Sequence, residues 1–212
     1  MPDIQRTLSF NASVPSSKQA ALDVAKSNLQ RVELPLKATA KNLVYGKGNP
    51  EAKILFIGEA PGEQEDIQGF PFVGAAGKQL DKLLHSIGLT IDDVYIANIL
   101  KYRPPNNRNP NDEEIRTHTP YLVEQIKIIQ PKIIATLGNF STKFILARCN
   151  PGGMKSIGGI TFLHGKPVSI DIDGLQFIVV PLYHPAAILY KPGLRQELEQ
   201  DFLKMQELLR NH

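Results

Sequence analysis

Apolar and polar positions follow two rhythms along this chain. Predominantly apolar runs, rich in β-branched residues and of strand length, occupy residues 53–57, 94–99, 133–137 and 177–182. Between them lie segments with apolar residues at helical spacing, over residues 77–86, 112–129, 140–147 and 193–209. Another precedes the first strand: residues 16–31 carry Ala20, Leu22, Val24, Ala25 and Leu29 ahead of the break at Pro35. Strands alternating with helices predict an α/β fold, a three-layer α/β/α sandwich with a mainly parallel four-stranded central sheet and right-handed crossovers. Residues 1–14 are expected to be a flexible segment ahead of a single domain over residues 15–212. Ligands of such sheets bind beyond the carboxyl ends of the strands. Unusual polar residues fall there: Glu59 after the first strand, Asn98 at the end of the second and His184 after the fourth.

Composition narrows the class without changing that picture. With 212 residues, 42% of them hydrophobic, the chain can bury one substantial core. It has no apolar run of about 18 residues, and Met1 to Asn11 lacks the basic and apolar regions of a secretion signal, so a cytoplasmic monomer without membrane association is expected. Cys149, the single cysteine, cannot form an internal disulfide or a cysteine-rich metal site. The net charge of +3 suits a polyanionic partner but does not require one.

The loop after the first strand, Gly58-Glu59-Ala60-Pro61-Gly62-Glu63-Gln64-Glu65-Asp66, followed by Gly69-Phe70-Pro71-Phe72-Val73-Gly74, is dense in turn residues and carboxylates. No Lys-Ser/Thr follows its glycines at phosphate-loop spacing, and the dinucleotide-binding glycine pattern is absent. This segment resembles the first motif of family 4 uracil-DNA glycosylases, and Tyr183-His184-Pro185-Ala186-Ala187-Ile188-Leu189 resembles their second. Asn98-Ile99-Leu100-Lys101-Tyr102-Arg103-Pro104-Pro105 is similar to the family's central segment, and Lys132-Ile133-Ile134-Ala135-Thr136-Leu137-Gly138 to its third strand. The resemblance runs from about Leu34 to Leu203 and rests on ordered motifs at compatible spacing.

The resemblance implies a DNA repair enzyme that takes deoxyuridine out of the duplex and hydrolyses its N-glycosidic bond. Such an enzyme must stack on the extruded base and read its Watson–Crick edge. Phe72 offers the stacking face. Asn98 offers an amide whose oxygen accepts from uracil N3–H while its nitrogen donates to O4. His184 is the donor toward uracil O2, where negative charge develops. Glu59, Glu65 and Asp66 are candidates to order water or stabilise the sugar cation, with Glu59 the family-matched carboxylate, and backbone groups of Glu59, Ala60 and Pro61 are expected to share in base recognition. Viewed alone, Phe72 is equally an ordinary core aromatic, Asn98 a turn residue and His184 a satisfied structural histidine.

DNA contacts are expected from Lys101, Arg103 and Arg108, which surround a Pro-Pro-Asn-Asn loop, and a wedge filling the emptied stack from Ile188, Leu189 and Tyr190. His164-Gly165-Lys166 is a further turn for the DNA backbone. Gln5, Leu8 and Phe10 loosely match a peptide that docks onto a replication clamp. Family members resembling this chain bind an iron–sulfur cluster through four cysteines. The corresponding positions here are Arg31, Leu34, Tyr102 and His118, so no cluster and no other cofactor is expected. Competing readings are a non-catalytic binder of uracil-containing or single-stranded DNA, and a hydrolase of small nucleosides or nucleotides.

Overall fold

The computed structural model describes residues 17–211; the proposed clamp peptide and the N-terminal segment lie outside the described residues. The chain runs α1 (Lys18–Gln30), β1 (Lys47–Gly48), β2 (Ile54–Gly58), α2 (Glu63–Gln68), α3 (Ala75–Ser86), β3 (Tyr95–Asn98), α4 (Asp112–Ile129), β4 (Ile133–Leu137), α5 (Asn139–Leu146), α6 (Ile160–Leu163), β5 (Val168–Ile172), β6 (Leu175–Leu182), α7 (Ala187–Tyr190) and α8 (Leu194–Asn211). Helix α4 starts at its expected position because Asn111 and Glu114 form a reciprocal capping box.

The sheet has six strands in the order β1-β3-β2-β4-β6-β5, which corrects the expected four. The central four are parallel and were the apolar runs; β1 and β5 add antiparallel edges. Strand β1 spans two residues, too short to leave a pattern. Strand β5 is half-exposed, and it turns back into β6 through Asp173 and Gly174, both at positive φ (51° and 82°), the backbone that an Asp-Gly hairpin turn requires.

Alternation along each strand divides the core between the two faces of the sheet. Leu55, Ile57 and Ile134 pack with Leu22 and Leu29 of α1, Leu122 and Ile126 of α4 and Phe144 of α5. Ile54, Phe56, Ala135 and Leu182 pack with Leu80 and Leu84 of α3 and Leu198, Phe202 and Met205 of α8. Burying a side chain of this size contributes about 1.5–3 kcal/mol, so both helical layers are strongly attached. The parallel strands consequently deliver their carboxyl ends, Gly58, Asn98, Leu137 and Leu182, to one rim. Among the described residues no helix is long and apolar enough to cross a membrane.

Candidate active site

A cavity of about 470 Å³ opens at that rim, lined by Glu59, Ala60, Pro61, Glu65, Phe72, Asn98, Arg108 and His184 among others. Residues separated by more than a hundred positions in sequence meet here because the four parallel strands, in the order β3-β2-β4-β6, end on the same rim.

Asn98 is the last residue of β3 and is 2% exposed. Its Oδ1 is buried without a hydrogen-bond partner. Leaving such an acceptor unpaired costs about 1–3 kcal/mol, so the fold maintains it against its own stability. A Cβ at Gly58 would collide with that oxygen and with the Phe72 ring, so a glycine is needed on the neighbouring strand.

Phe72 is buried with φ of 51°, a left-handed conformation that is disfavoured for an aromatic residue. Three contacts impose it. The Phe72 carbonyl accepts from Lys47 Nζ at 3.1 Å, Glu65 Oε1 accepts the N–H groups of Val73 (3.0 Å) and Gly74 (2.9 Å), and Gly77 in α3 lets the Phe72 carbonyl approach where any Cβ would overlap it. The ring stacks on His184 at 5.7 Å between centroids.

His184 follows β6. Its Nδ1 accepts the N–H of Ala186 at 3.2 Å, which assigns the ring proton to Nε2. Burial pushes its pKa down to about 4, against a weaker opposing pull from the Glu65 carboxylate, so the ring is neutral at pH 7. Gly138, at φ 95°, backs it: a Cβ there would stand 3.1 Å from His184 Cβ. Burial also raises the Glu59 carboxyl above its ordinary range.

The chain's sequence matches the family model described as the uracil DNA glycosylase superfamily over residues 45–209. The chain belongs to the uracil-DNA glycosylase superfamily. It is 51% identical to a type-4 uracil-DNA glycosylase of Saccharolobus solfataricus, over 80% of this chain and 77% of that one. It is 45% identical to a type-4 enzyme of Archaeoglobus fulgidus over 88% and 92% of the two chains, and 38% identical to one of Thermotoga maritima over 83% and 88%.

Within this superfamily member, several expected roles change. Lys101 is fully buried rather than facing DNA: its Nζ donates to the Asn98 carbonyl at 2.8 Å and to Gln125 Oε1. Ile188 is 4% exposed and packs in the α3–α8 layer, so it is no wedge; Leu189 and Tyr190, 46% and 84% exposed, remain available. Asp66 does not line the cavity, because its Oδ1 accepts the N–H groups of Lys41 and Asn42. Arg108 does reach the cavity rim, held there by a two-pronged bond to the buried carboxylate of Glu114. Arg103 Nε donates to Asn107 Oδ1 at 2.8 Å in the same loop. His164 turns inward, with Nδ1 2.7 Å from Asp201 Oδ2 and its ring 4.5 Å from that of Tyr183.

The four positions matching the family's cysteines do not fit a cluster. Arg31 is exposed, while Leu34 packs on the α1–α4 core. Tyr102 meets His118 edge-on at 6.1 Å. His118 Nδ1 accepts from the Lys101 N–H at 2.9 Å and its Nε2 donates to the Pro35 carbonyl at 3.2 Å, which occupies both ring nitrogens. Three of the four therefore knit residues 34–35 to α4 and the loop after β3. Arg31 pairs with neither nearby carboxylate: Glu33 bonds Lys37, and Glu114 bonds Arg108.

Sequence reasoning missed Gly58, Gly77 and Gly138, which shape the cavity from behind. The only signal available was a glycine at a strand end or in the first turn of a helix, where its reason is a contact distant in sequence.

Proposed function

We propose that the cavity receives a uracil nucleotide flipped out of DNA and that the chain hydrolyses its N-glycosidic bond, releasing uracil and leaving an abasic site. The observation that carries this reading is an unsatisfied buried acceptor, Asn98 Oδ1, and a ring N–H donor, His184 Nε2, lining one cavity beside the Phe72 ring. That donor–acceptor set complements uracil: Oδ1 accepts from N3–H, the amide nitrogen donates to O4, and His184 donates to O2. Cytosine lacks the N3 proton and offers an amine at C4, so it leaves Oδ1 unpaired and opposes donor to donor. The type-4 names of the relatives support the same reaction class.

Each site residue then has a step. When C1′–N1 breaks, the electron pair goes to the base, and the neutral His184 donor stabilises the anion forming at O2. A preorganised donor of this kind contributes about 2.7–4 kcal/mol. Water attacks C1′ and loses its proton to Glu59, whose raised pKa makes it the better base. Glu65, anchored through Oε1, presents negative charge toward the sugar cation. Arg103, Arg108 and the exposed Leu189 and Tyr190 meet the DNA around the vacated position.

The test is single-turnover uracil release from a single-site oligonucleotide, compared with release from deoxyuridine monophosphate. Release from the oligonucleotide alone supports the reading; tight binding without release would assign a binder, and preference for the mononucleotide a small-molecule hydrolase.

A further inference from the structure

Lys101 is a long cationic side chain sealed completely inside the molecule, and among the described residues no carboxylate forms an ion pair with it. A hydrophobic side chain of similar volume would be the cheaper occupant of such a place. What the amine touches explains its presence. Strand β1 pairs with β3 only at Lys47–Ile96 and Gly48–Tyr95. Continuing that register would set Tyr45 opposite Asn98, but the ladder stops short of them. Both carbonyls are instead met by side chains: Lys101 Nζ donates to the Asn98 oxygen at 2.8 Å, and Gln125 Nε2 donates to the Tyr45 oxygen at 3.0 Å. The two side chains also bond each other, Nζ to Oε1, and Nζ sits 5.8 Å over the Tyr45 ring.

Lys101 itself is pinned at both backbone groups. Its N–H donates to His118 Nδ1 and its carbonyl accepts from Val44 N–H, both at 2.9 Å. The next links run to the cavity, where Ile99 and Leu100 donate to the carbonyls of Gly58 and Glu59 at 3.0 Å. The peptide that carries Asn98 is therefore gripped from the strand side and from below.

We propose that Lys101, locked by Gln125, is a positioning residue that holds the Asn98 peptide so that its unpaired carboxamide oxygen keeps the orientation for reading uracil. The inference rests on the uracil-reading role assigned to Asn98 above. Burial lowers the amine's pKa to about 7, yet the neutral amine still carries two N–H groups for its two acceptors, so the bridge survives deprotonation.

Lys101→Met and Gln125→Leu test it. Each purified variant is compared with wild type for thermal unfolding, single-turnover uracil release, inhibition by free uracil, and affinity for an oligonucleotide containing an abasic-site analogue. Misplacing a reading group predicts release slowed by up to about 100-fold. Inhibition by free uracil is expected to weaken about tenfold or more. Abasic-DNA affinity should stay within about twofold, because the phosphate contacts are elsewhere. Unchanged release and unchanged uracil inhibition in both folded variants would overturn the proposal. So would parallel loss of uracil and abasic-DNA binding, or failure of both variants to fold, since either assigns the bridge to general architecture. A wild-type chain that neither releases nor binds uracil would instead sink the reading of Asn98 itself.

Discussion

Nδ1 of His184 accepts the N–H of Ala186, two residues ahead in the same turn, and so commits the ring's single proton to Nε2. A histidine that burial holds neutral down to about pH 4 acts as a fixed donor over the whole physiological range. His184→Ala is expected to slow uracil release by about 100- to 1,000-fold, since one oxyanion donor is lost, with little change in affinity for uracil-containing DNA. Because protonation sets in only near pH 4, any acid limb of the wild-type rate profile assigned to this histidine should lie well below 6.5. A profile that falls through 6.5 and flattens in His184→Ala would show that the site needs a ring titrating normally.

Gly77→Ala sets helix propensity against geometry. Alanine favours a helix by about 1 kcal/mol over glycine. The new methyl would overlap the Phe72 carbonyl, which Lys47 also holds. Overpacking costs about 1–3 kcal/mol, so the clash wins and the variant should be less stable and slower on uracil. A variant more stable than wild type with full activity would show that the Phe72 turn tolerates displacement.

Neighbouring residues after the His-Pro turn should behave oppositely. Ile188→Ala opens the α3–α8 core and should cost about 2–5 kcal/mol in denaturant unfolding. Leu189→Ala should change stability by less than about 0.5 kcal/mol, as expected for an exposed site, while weakening binding to uracil-containing duplex. Reversal of the two stability effects would mean that α7 is turned the other way.

Replacing four thiolates by Arg31, Leu34, Tyr102 and His118 predicts a colourless protein with far less than stoichiometric iron, whose uracil release is indifferent to chelator. His118 adds a pH signature. Burial brings its pKa down to about 4; the hydrogen bond to the Pro35 carbonyl pulls the other way, and the nearby Lys101 charge adds a smaller lowering. The unfolded ring takes up a proton first as pH falls, so this contribution is complete above about 6.5 and is lost toward 4. His118→Gln should flatten stability between those values. Four irons per chain, or activity abolished by chelator and restored by metal, would refute the residue correspondence.

The central strands were legible because parallel strands buried on both faces are written as near-continuous apolar runs, as in Ile54 to Ile57. Helix α4 was legible from its apolar spacing, and the Asn111–Glu114 capping box fixes its start. The edge strands escaped: β1 is too short for a pattern, and β5 is visible only through the Asp173-Gly174 turn, whose positive φ values belong to the hairpin that the structure shows. Glu59, Phe72, Asn98 and His184 were legible as a motif set, and their convergence follows from strand ends sharing a rim. Lys101 was misjudged because a lysine beside an exposed proline loop carries no local sign that a carbonyl at Asn98 lacks a strand partner. Ile188 was misjudged because a four-residue helix is too short to reveal its buried face.

The most direct measurement compares uracil and cytosine release from otherwise identical oligonucleotides by wild type and by Asn98→Asp. A carboxylate at this position loses the amide donor for uracil O4 and gains an acceptor for the cytosine amine. Sites built on such hydrogen bonds discriminate by about 10⁴-fold or more, so substantial loss of that preference is expected. Wild type should release uracil and spare cytosine, and Asn98→Asp should release cytosine measurably while slowing on uracil. Wild type inert toward uracil in DNA, or a variant with unaltered selectivity, would contradict the assignment of this cavity as the uracil site.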